Sequence, residues 1–399
     1  MAPTPQLSPP LSSQRFEAVE AHVRHLVDMG ALPHAEFLAA RDGEVLHGFH
    51  AGAARADGRA LEKGAIYRIA SMTKAVTAVL FLMLVEEGRV ALDDPIASVL
   101  PELADLPVYA GGAFPPFATR PAVRQPTMFD LLTHTAGFTY GFQQHSPVDQ
   151  AYWKAGVDNF RASITREGML TALAGLPLLH DPGTHFTYSV ATDLIGLIAE
   201  RLTDRPLEEV FGERIFARLG MSDTGFALRA EQRDRLTDAW AMHPRQGRYV
   251  YDKAEDSLWS SPKRFPSGGG GLLSTVADYH RFCRMLLGRG TLDGERLLRA
   301  ETVERMTRNH LPGGSSMGAM SVSKFAGPPY YGTGQGLGIA VSLPGAMEPW
   351  PGGSFHWSGL FSSWYSVTPE SGLILIFMTQ IIPLVEDPLI ADVHRILQA

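Results

Sequence analysis

Short β-prone segments stand at both ends of this chain with helical segments between them, and this order restricts the fold more than any other feature. Residues 35–41 and 45–51 are joined by Asp42-Gly43, a dipeptide typical of tight hairpin turns. The C-terminal β-prone runs are residues 336–342, 363–367 and 373–378. Strands from both termini around a helical middle predict an α/β fold of the α+β type, with one antiparallel sheet built from the two chain ends and flanked by helices.

A two-part organisation is predicted by the length of 399 residues, which exceeds a typical single hydrophobic core. We expect residues 13–92 and 266–399 to form the α/β domain. Residues 93–265, where helical patterns alternate with Pro- and Gly-rich loops, are expected to form an inserted, mostly helical lobe. The proline-rich residues 1–12 are expected to be a disordered tail. Helical periodicity is clear in two terminal segments, residues 15–29 and 389–397.

The composition is that of an ordered globular protein, because 45% of the residues are hydrophobic and 19% are charged. The formal net charge of −7 includes no long run of one sign and no basic stripe, so nucleic acid is not expected as a partner. The apolar stretches at residues 75–85 and 373–378 are too short or too interrupted to span a bilayer, and no membrane partner is expected. Residues 1–10 show no signal-peptide pattern, which favours a cytoplasmic protein.

Metal and cofactor sites are not indicated by the sequence. The single cysteine, Cys283, excludes an internal disulfide and a multi-cysteine zinc site, and its apolar neighbours favour a buried thiol. There is no His-Glu-x-x-His or comparable ligand cluster. The four glycines at residues 268–271 are not followed by Lys-Ser or Lys-Thr, so a phosphate cradle is not predicted. We therefore expect no metal and no cofactor.

A serine and a lysine three residues apart stand at the head of an apolar run, in Ser71-Met72-Thr73-Lys74. The pattern predicts a helix over residues 71–87, ended by Gly88, and helical positions three apart share one face. A serine hydroxyl becomes a good nucleophile when a neighbouring base takes its proton, and a lysine amine can be that base. The pair alone is a weak indication, because S-x-x-K occurs by chance in many helices.

Two further segments contain groups that acyl chemistry uses. In residues 181–190 a Pro-Gly turn leads to Tyr188, just ahead of an apolar helical pattern. A phenol beside a lysine can relay protons, although a tyrosine with a satisfied hydroxyl in the core is the commoner alternative. In residues 355–360, Gly359 permits close approach of the backbone to a ligand, and the N–H of the following Leu360 can donate to a developing oxyanion.

Together and in this order, the three segments resemble the serine β-lactamase and penicillin-recognising superfamily, and within it the class C β-lactamase-fold carboxylesterases called family VIII. The resemblance extends from about residue 35 to residue 397, including residues 131–138 and 269–275. It implies the serine β-lactamase/penicillin-binding fold for this chain.

The resemblance also implies a role for each of these residues. Ser71 would be the acylated nucleophile and Lys74 its hydrogen-bonded base. Tyr188 would be the second member of the base pair and the proton donor to the leaving group. The backbone N–H groups of Ser71 and Leu360 would form the oxyanion hole.

Two departures from the β-lactamase pattern bear on the substrate. Val190 stands where those enzymes have the asparagine of Tyr-x-Asn, and Trp357 stands where they have the lysine of Lys-Thr-Gly. The amide and the cation that orient a β-lactam are therefore missing, whereas Trp357 offers a flat apolar wall. We expect Trp357, Gly359, Val190 and the loop residue Tyr140 to contact substrate, and that substrate to be a neutral ester.

Some motifs are assigned structural roles. The sequence from Gly314 to Gly318 matches the G-x-S-x-G nucleophile elbow around Ser316, but its flanks indicate loops rather than the required strand and helix. Thr275 is expected to cap a helix. His134 is expected to be a hydrogen-bonded loop histidine, because the lysine and tyrosine pair already supplies a base.

The sequence thus predicts a serine carboxylesterase that hydrolyses small to medium neutral esters through an acyl-enzyme on Ser71, with a small-molecule ester as its partner. An acyltransferase of the same fold and a weak β-lactamase or D-peptidase are the alternatives within enzymes, since deacylation by water or by an alcohol uses the same residues. A non-catalytic scaffold would have no need of a base pair around a serine. Acyl chain length, enantioselectivity and oligomeric state are left open by the sequence.

Overall fold

The protein is described by a computed structural model covering residues 12–157, 164–260, 265–346, 350–382 and 386–398. The predicted tail, residues 1–12, lies outside these ranges apart from its last residue. The helices are α1 Ser13–Asp28, α2 Thr73–Glu86, α3 Met128–Leu132, α4 Pro147–Ala155, α5 Arg166–Ala174, α6 Ala191–Thr203, α7 Leu207–Phe211, α8 Ala217–Leu219, α9 Val276–Leu287, α10 Ala300–Met306, α11 Met317–Met320 and α12 Glu386–Gln398. The strands are β1 His34–Arg41, β2 Glu44–Gly52, β3 Tyr67–Arg68, β4 Val108–Gly111, β5 Ala118–Arg120, β6 Ala239–His243, β7 Gly247–Asp252, β8 Leu273–Ser274, β9 Thr291–Leu292, β10 Glu295–Arg296, β11 Thr333–Gln335, β12 Ala340–Ser342, β13 Phe355–Ser358, β14 Trp364–Thr368, β15 Leu373–Met378 and β16 Ile381–Ile382.

One antiparallel sheet joins the two ends of the chain, in the order β11-β12-β13-β14-β15-β1-β2. Strand β1 lies between β2 and β15, and Phe37 of β1 stands opposite both Phe49 and Phe377. The predicted sheet from both termini is therefore confirmed. Because its partners come from sequence positions more than 300 apart, the sheet holds the N-terminal hairpin beside the last strands of the chain.

The turn between β1 and β2 is the one that Asp42-Gly43 predicts. Asp42 has φ of 50° and Gly43 has φ of 88°. Two successive residues with positive φ form the hairpin turn whose twist matches the twist of the strands, and Asp-Gly is among the few pairs that accept it without large strain.

The prediction of one strand over residues 336–342 is wrong in its extent. The chain instead forms the short strand β12 and, before it, a turn that links β12 to β11. Gly338 in this turn has φ of 76°, and a Cβ atom there would collide with the Cβ of Ala78 on α2. The glycines of this run thus permit a tight turn against a helix, which a pattern of β-prone residues does not reveal.

Helices cover both faces of the sheet, and the side chains of β15 point alternately into the two cores. Leu375 and Phe377 pack with residues of α1 and α12, among them Phe16 and Val393. Ile374, Ile376 and Met378 belong to the larger core on the other face. That core contains α2, whose residues from Thr73 to Leu84 are all buried, so α2 runs through the interior instead of lying on the surface.

The segment predicted as a helical lobe, residues 93–265, contains α3 to α8 and also two hairpins, β4–β5 and β6–β7. Strand β6 pairs in parallel with β16, which places Trp240 opposite Ile381 near the C-terminus. Helix α6 of this segment packs against α2. The division at residues 92 and 265 stays a prediction. No helix in the described ranges is long and apolar enough to cross a membrane.

Candidate active site

Ser71 lies in a single 3₁₀ turn, Ala70–Met72, that leads directly into α2. The predicted helix over residues 71–87 is thus α2 preceded by this tighter turn. Ala70 has φ of 43°, a conformation that costs energy for a residue with a Cβ atom. Because α2 is buried along most of its length, the turn that holds Ser71 rests on a rigid support.

The structure brings Lys74 to Ser71. The Lys74 Nζ atom lies 3.2 Å from Ser71 Oγ and donates a hydrogen bond of 2.6 Å to the carbonyl oxygen of Gly269. The Lys74 side chain is only 2% exposed. A buried amine with one backbone acceptor and one hydroxyl neighbour has little freedom to turn away from the serine, which is the arrangement that a base needs.

Tyr188 completes this group from the loop before α6. The centroid of its ring lies 4.6 Å from Lys74 Nζ, and its hydroxyl accepts a hydrogen bond of 3.3 Å from Trp357 Nε1. Tyr140 lies beside both, with its ring centroid 5.3 Å from Lys74 Nζ and 5.3 Å from the Tyr188 ring. Two aromatic rings thus lie against the lysine amine and limit the directions in which it can move.

The glycines at residues 268–271 explain how the Gly269 carbonyl reaches Lys74. Gly268 packs between α2 and α6: its carbonyl accepts a bond of 2.6 Å from Thr77 Oγ1, and a Cβ atom on it would lie 2.8 Å from the carbonyl oxygen of Thr192. Only glycine allows the backbone to pass between the two helices here. The segment therefore supplies a backbone acceptor to the site.

The end of β13 approaches the Ser71 turn closely. A Cβ atom on Gly359 would lie 2.6 Å from the carbonyl oxygen of Ile69. The Gly359 N–H donates to Ser363, at 2.7 Å, and this bond fixes the turn that contains Leu360. Within the described ranges, neither the Ser71 N–H nor the Leu360 N–H donates to a backbone carbonyl. Both donors thus remain available to an oxyanion.

Val190 is fully buried in the hydrophobic core, as the residue that precedes α6. Its side chain is not exposed to a substrate in this structure, and its contact with substrate stays a prediction. Trp357, in contrast, is half-buried and packs on Tyr188, with ring centroids 5.3 Å apart.

Two residues of the site were not predicted from the sequence. Phe325 stacks on Trp357 at a centroid distance of 5.9 Å and lies 5.1 Å from the Tyr188 ring. Asp193, in the first turn of α6, accepts a bond of 3.0 Å from the Gly269 N–H. Phe325 belongs to a loop without a motif. For Asp193 the sequence did contain a signal, because an acidic residue stands five positions after Tyr188 at the start of a mostly apolar helical run.

His134 and Ser316 have the structural roles that the sequence suggested. His134 is buried, and its Nδ1 lies 3.3 Å from Ser189 Oγ. Burial and the positive charge of Lys74 hold the pKa of His134 well below its usual value, so the ring is neutral at pH 7. Ser316 caps α11 by accepting a bond of 3.2 Å from Ala319 N–H, and the residues shortly before it, Pro312–Gly314, form a 3₁₀ turn instead of the strand that a nucleophile elbow requires.

A serine on a 3₁₀ turn at the head of a buried helix, with a lysine amine against it and a tyrosine ring against that amine, is the arrangement of groups that serine acyl-transfer proteins use. The chain belongs to the Beta-lactamase family, whose profile matches residues 19–398. The predicted resemblance to β-lactamase-fold serine hydrolases is therefore confirmed.

Proteins similar to this chain include an uncharacterized protein, an esterase and an acyltransferase. An uncharacterized protein of Mycobacterium tuberculosis is 36% identical over 372 residues, which cover 91% of this chain and 90% of the relative. Esterase EstB of Burkholderia gladioli is 28% identical over 361 residues, 86% of this chain and 84% of the relative. Acyltransferase mokF of Monascus pilosus is 31% identical over 308 residues, 74% and 71% of the two chains. Esterases and acyltransferases are thus both among the relatives.

A solved structure agrees with the fold. EstCE1, described as a hydrolase with promiscuous acyltransferase activity, superposes with a TM-score of 0.77 at 21% identity, covering 96% of this chain and 98% of its own. The whole described architecture, and not the helical or the sheet part alone, is therefore that of this family.

Proposed function

We propose that the protein is a serine carboxylesterase that hydrolyses small to medium neutral esters through an acyl-enzyme on Ser71. The observation that carries this proposal is the contact between Lys74 Nζ and Ser71 Oγ, at 3.2 Å, with the Tyr188 ring 4.6 Å from the same Nζ. A nucleophile, a base and a phenolic proton carrier at one point are the parts that a two-step acyl transfer requires. The esterases among the relatives support the choice of ester over other acyl compounds.

Acylation would begin with attack of Ser71 Oγ on the ester carbonyl while Lys74 accepts the hydroxyl proton. The carbonyl oxygen becomes an oxyanion, for which the N–H groups of Ser71 and Leu360 are the proposed donors. Removal of one such donor in other acyl-transfer sites costs about 3 kcal/mol. When the bond to the alkoxide breaks, Tyr188 would give the leaving oxygen a proton and recover one from Lys74.

Deacylation would use the same groups in reverse. A water molecule would take the place of the departed alcohol, lose a proton to the Tyr188 and Lys74 pair, and attack the acyl carbon. Collapse of the second tetrahedral intermediate would release the carboxylic acid and return the proton to Ser71 Oγ. Each step balances without a cofactor, because one proton is carried back and forth between the serine, the base pair and the leaving group.

The proposed preference for neutral esters rests on the aromatic side chains that pack around Tyr188. Trp357 occupies the position of the cation that would meet a substrate carboxylate, and Phe325 stacks on it. Together with Tyr188, whose ring contacts Lys74, they form an apolar aromatic surface. Such a surface gains free energy with an alkyl or aryl ester and gains none from a carboxylate that would have to lose its water.

Acyl transfer to an alcohol is the second candidate function, and the relative named as an acyltransferase, at 31% identity, favours it. Water and an alcohol would compete for the same acyl-enzyme. The ratio of ester to acid formed from vinyl butyrate with rising 1-butanol measures this competition. An ester yield well above that expected from the mole fraction of butanol would make transfer the principal activity.

A panel of p-nitrophenyl esters from acetate to palmitate, assayed beside a chromogenic cephalosporin, tests the substrate proposal. We expect kcat/KM to be highest for an ester of a short or medium acid, and to exceed the value for the cephalosporin by at least about 100-fold, which corresponds to about 3 kcal/mol of discrimination. A higher kcat/KM for the cephalosporin than for every ester would overturn the proposal.

A further inference from the structure

Asp193 is a buried carboxylate that the proposed mechanism does not yet use. It lies in the first turn of α6 and is 5% exposed. Its Oδ1 atom accepts the N–H of Gly269 at 3.0 Å and also a short hydrogen bond from Ser267 Oγ. A buried carboxylate is costly unless it compensates a nearby positive charge or accepts several hydrogen bonds, so its presence here requires an explanation.

Gly269 is hydrogen-bonded to both Asp193 and Lys74. Gly269 donates its N–H to Asp193 and accepts Lys74 Nζ at its carbonyl, at 2.6 Å. Asp193 thus contacts one side of Gly269, and the lysine contacts the other. Because Lys74 Nζ lies 3.2 Å from Ser71 Oγ, a displacement of Gly269 would move the amine relative to the nucleophile.

Gly269 is also tightly enclosed on the side where a side chain would project. A Cβ atom at this position would collide with Asp193 Oδ2 and would lie 3.0 Å from the hydroxyl oxygen of Tyr140. No residue other than glycine fits between the carboxylate and the tyrosine without moving them.

We propose that Asp193 is a positioning residue for acyl transfer, which holds Gly269 so that its carbonyl keeps the Lys74 amine against Ser71. This inference rests on the proposed function, because it assigns the residue a task within that reaction. The contacts described above place Asp193 behind Gly269, so it acts through Gly269 and Lys74.

Two substitutions test the positioning role. Asp193→Asn keeps an oxygen that can accept both bonds, whereas Asp193→Ala removes the acceptors. We expect Asp193→Ala to lower kcat by about 100-fold with KM changed by less than about threefold, as loss of base positioning predicts. We expect Asp193→Asn to keep kcat within about tenfold of the original protein, because its side-chain oxygen still accepts the Gly269 N–H.

The matched control is Asp238→Ala. Asp238 is 4% exposed and likewise accepts backbone N–H bonds, from Ala56 at 2.8 Å and Ala254 at 2.7 Å, and neither of these bonds reaches the site. We expect this variant to keep the kcat and KM of the original protein even if its melting temperature falls. Steady-state kinetics and melting temperature are measured for all three variants.

A kcat close to that of the original protein in a folded Asp193→Ala would overturn the inference, and so would equal losses in Asp193→Asn and Asp193→Ala. If Asp193→Ala does not fold, Asp193→Leu takes its place, because leucine keeps the volume and also removes the acceptors. A Ser71→Ala variant measured in parallel separates this failure from the failure of the proposed function. Loss of activity in Ser71→Ala with unchanged Asp193→Ala contradicts only the positioning role, whereas an active Ser71→Ala contradicts the proposed function itself.

Discussion

Lys74 is almost completely removed from water, at 2% exposure, and is surrounded by the Gly269 carbonyl, the Ser71 hydroxyl and two aromatic rings. An amine in water would be solvated in many orientations. Here one orientation is fixed, and the entropy of placing the base beside the nucleophile is lost during folding instead of during catalysis.

The first residue-level prediction concerns the base pair. Lys74→Ala and Tyr188→Phe should each lower kcat by about 10²- to 10⁴-fold, with little change in KM, because both residues act on proton transfer in the transition state. The double variant should lose less than the product of the two single losses, since the residues act as one unit. Steady-state kinetics on one p-nitrophenyl ester measure all three. Losses that multiply fully would indicate that one of the two residues only supports the structure.

The residues of the candidate site could be predicted from the sequence where the groups that meet are close together in the chain. Ser71 and Lys74 are one helical turn apart, and the structure brings them together as their spacing requires. The contact of Asp193 with Gly269 joins positions 76 residues apart, and no local pattern encodes it. Phe325 depends on the course of a loop over the site. Val190 was placed in the site by analogy with a motif, and its burial at the start of α6 could not be read from that motif.

At the level of elements, strand β1 contains an ionisable group inside the fold. Glu36 is 8% exposed and accepts a hydrogen bond of 2.8 Å from the hydroxyl of Tyr67 on β3. Burial raises the pKa of Glu36 from its ordinary 4.5 to about 7. The carboxyl is thus protonated in the folded protein at a pH where it is ionised in the unfolded chain.

A pH dependence of stability follows from this shift. Between about pH 4.5 and pH 7 the unfolded chain releases the proton of Glu36 and the folded protein keeps it, so this group lowers the free energy of unfolding as pH rises. The full effect above pH 7 is on the order of 3 kcal/mol. Glu36→Gln should therefore melt at a higher temperature than the original protein at pH 8, with a smaller difference at pH 5.

Glu44→Gln is the control for this prediction, because Glu44 is exposed on the neighbouring strand β2. Melting curves at both pH values are compared for the two variants and the original protein. An equal effect of Glu36→Gln at pH 5 and pH 8 would show that the carboxyl is not protonated inside the fold.

Elements were predicted well where the turn residues determine the backbone. The β1–β2 hairpin followed from Asp42-Gly43, since both residues accept positive φ. Residues 336–342 were predicted as one strand because β-prone residues dominate the run, whereas its glycines form a turn against α2. Propensity alone does not distinguish these outcomes, because the deciding contact comes from a helix more than 250 residues earlier in the chain.

At the level of the whole molecule, the order of segments was sufficient to predict a sheet made from both chain ends, because an isolated N-terminal hairpin could not bury its apolar residues. The pairing of β6 with β16 was not predictable in this way. Each of these strands is short, and they form a three-stranded sheet with β7 beside the large sheet, in the order β16-β6-β7. The family relationship over residues 19–398 therefore describes one continuous architecture, in which the site lies where the sheet meets α2 and α6.

The central claim is that Ser71 carries the acyl group, and covalent labelling tests it most directly. A serine-directed fluorophosphonate is added to the original protein, to Ser71→Ala and to Ser316→Ala, and the modified peptide is identified by mass spectrometry. We predict one adduct per chain on Ser71, full labelling of Ser316→Ala with nearly unchanged ester hydrolysis, and neither labelling nor hydrolysis in a folded Ser71→Ala. An adduct on any other serine, or an inactive Ser316→Ala with normal melting, would contradict the account.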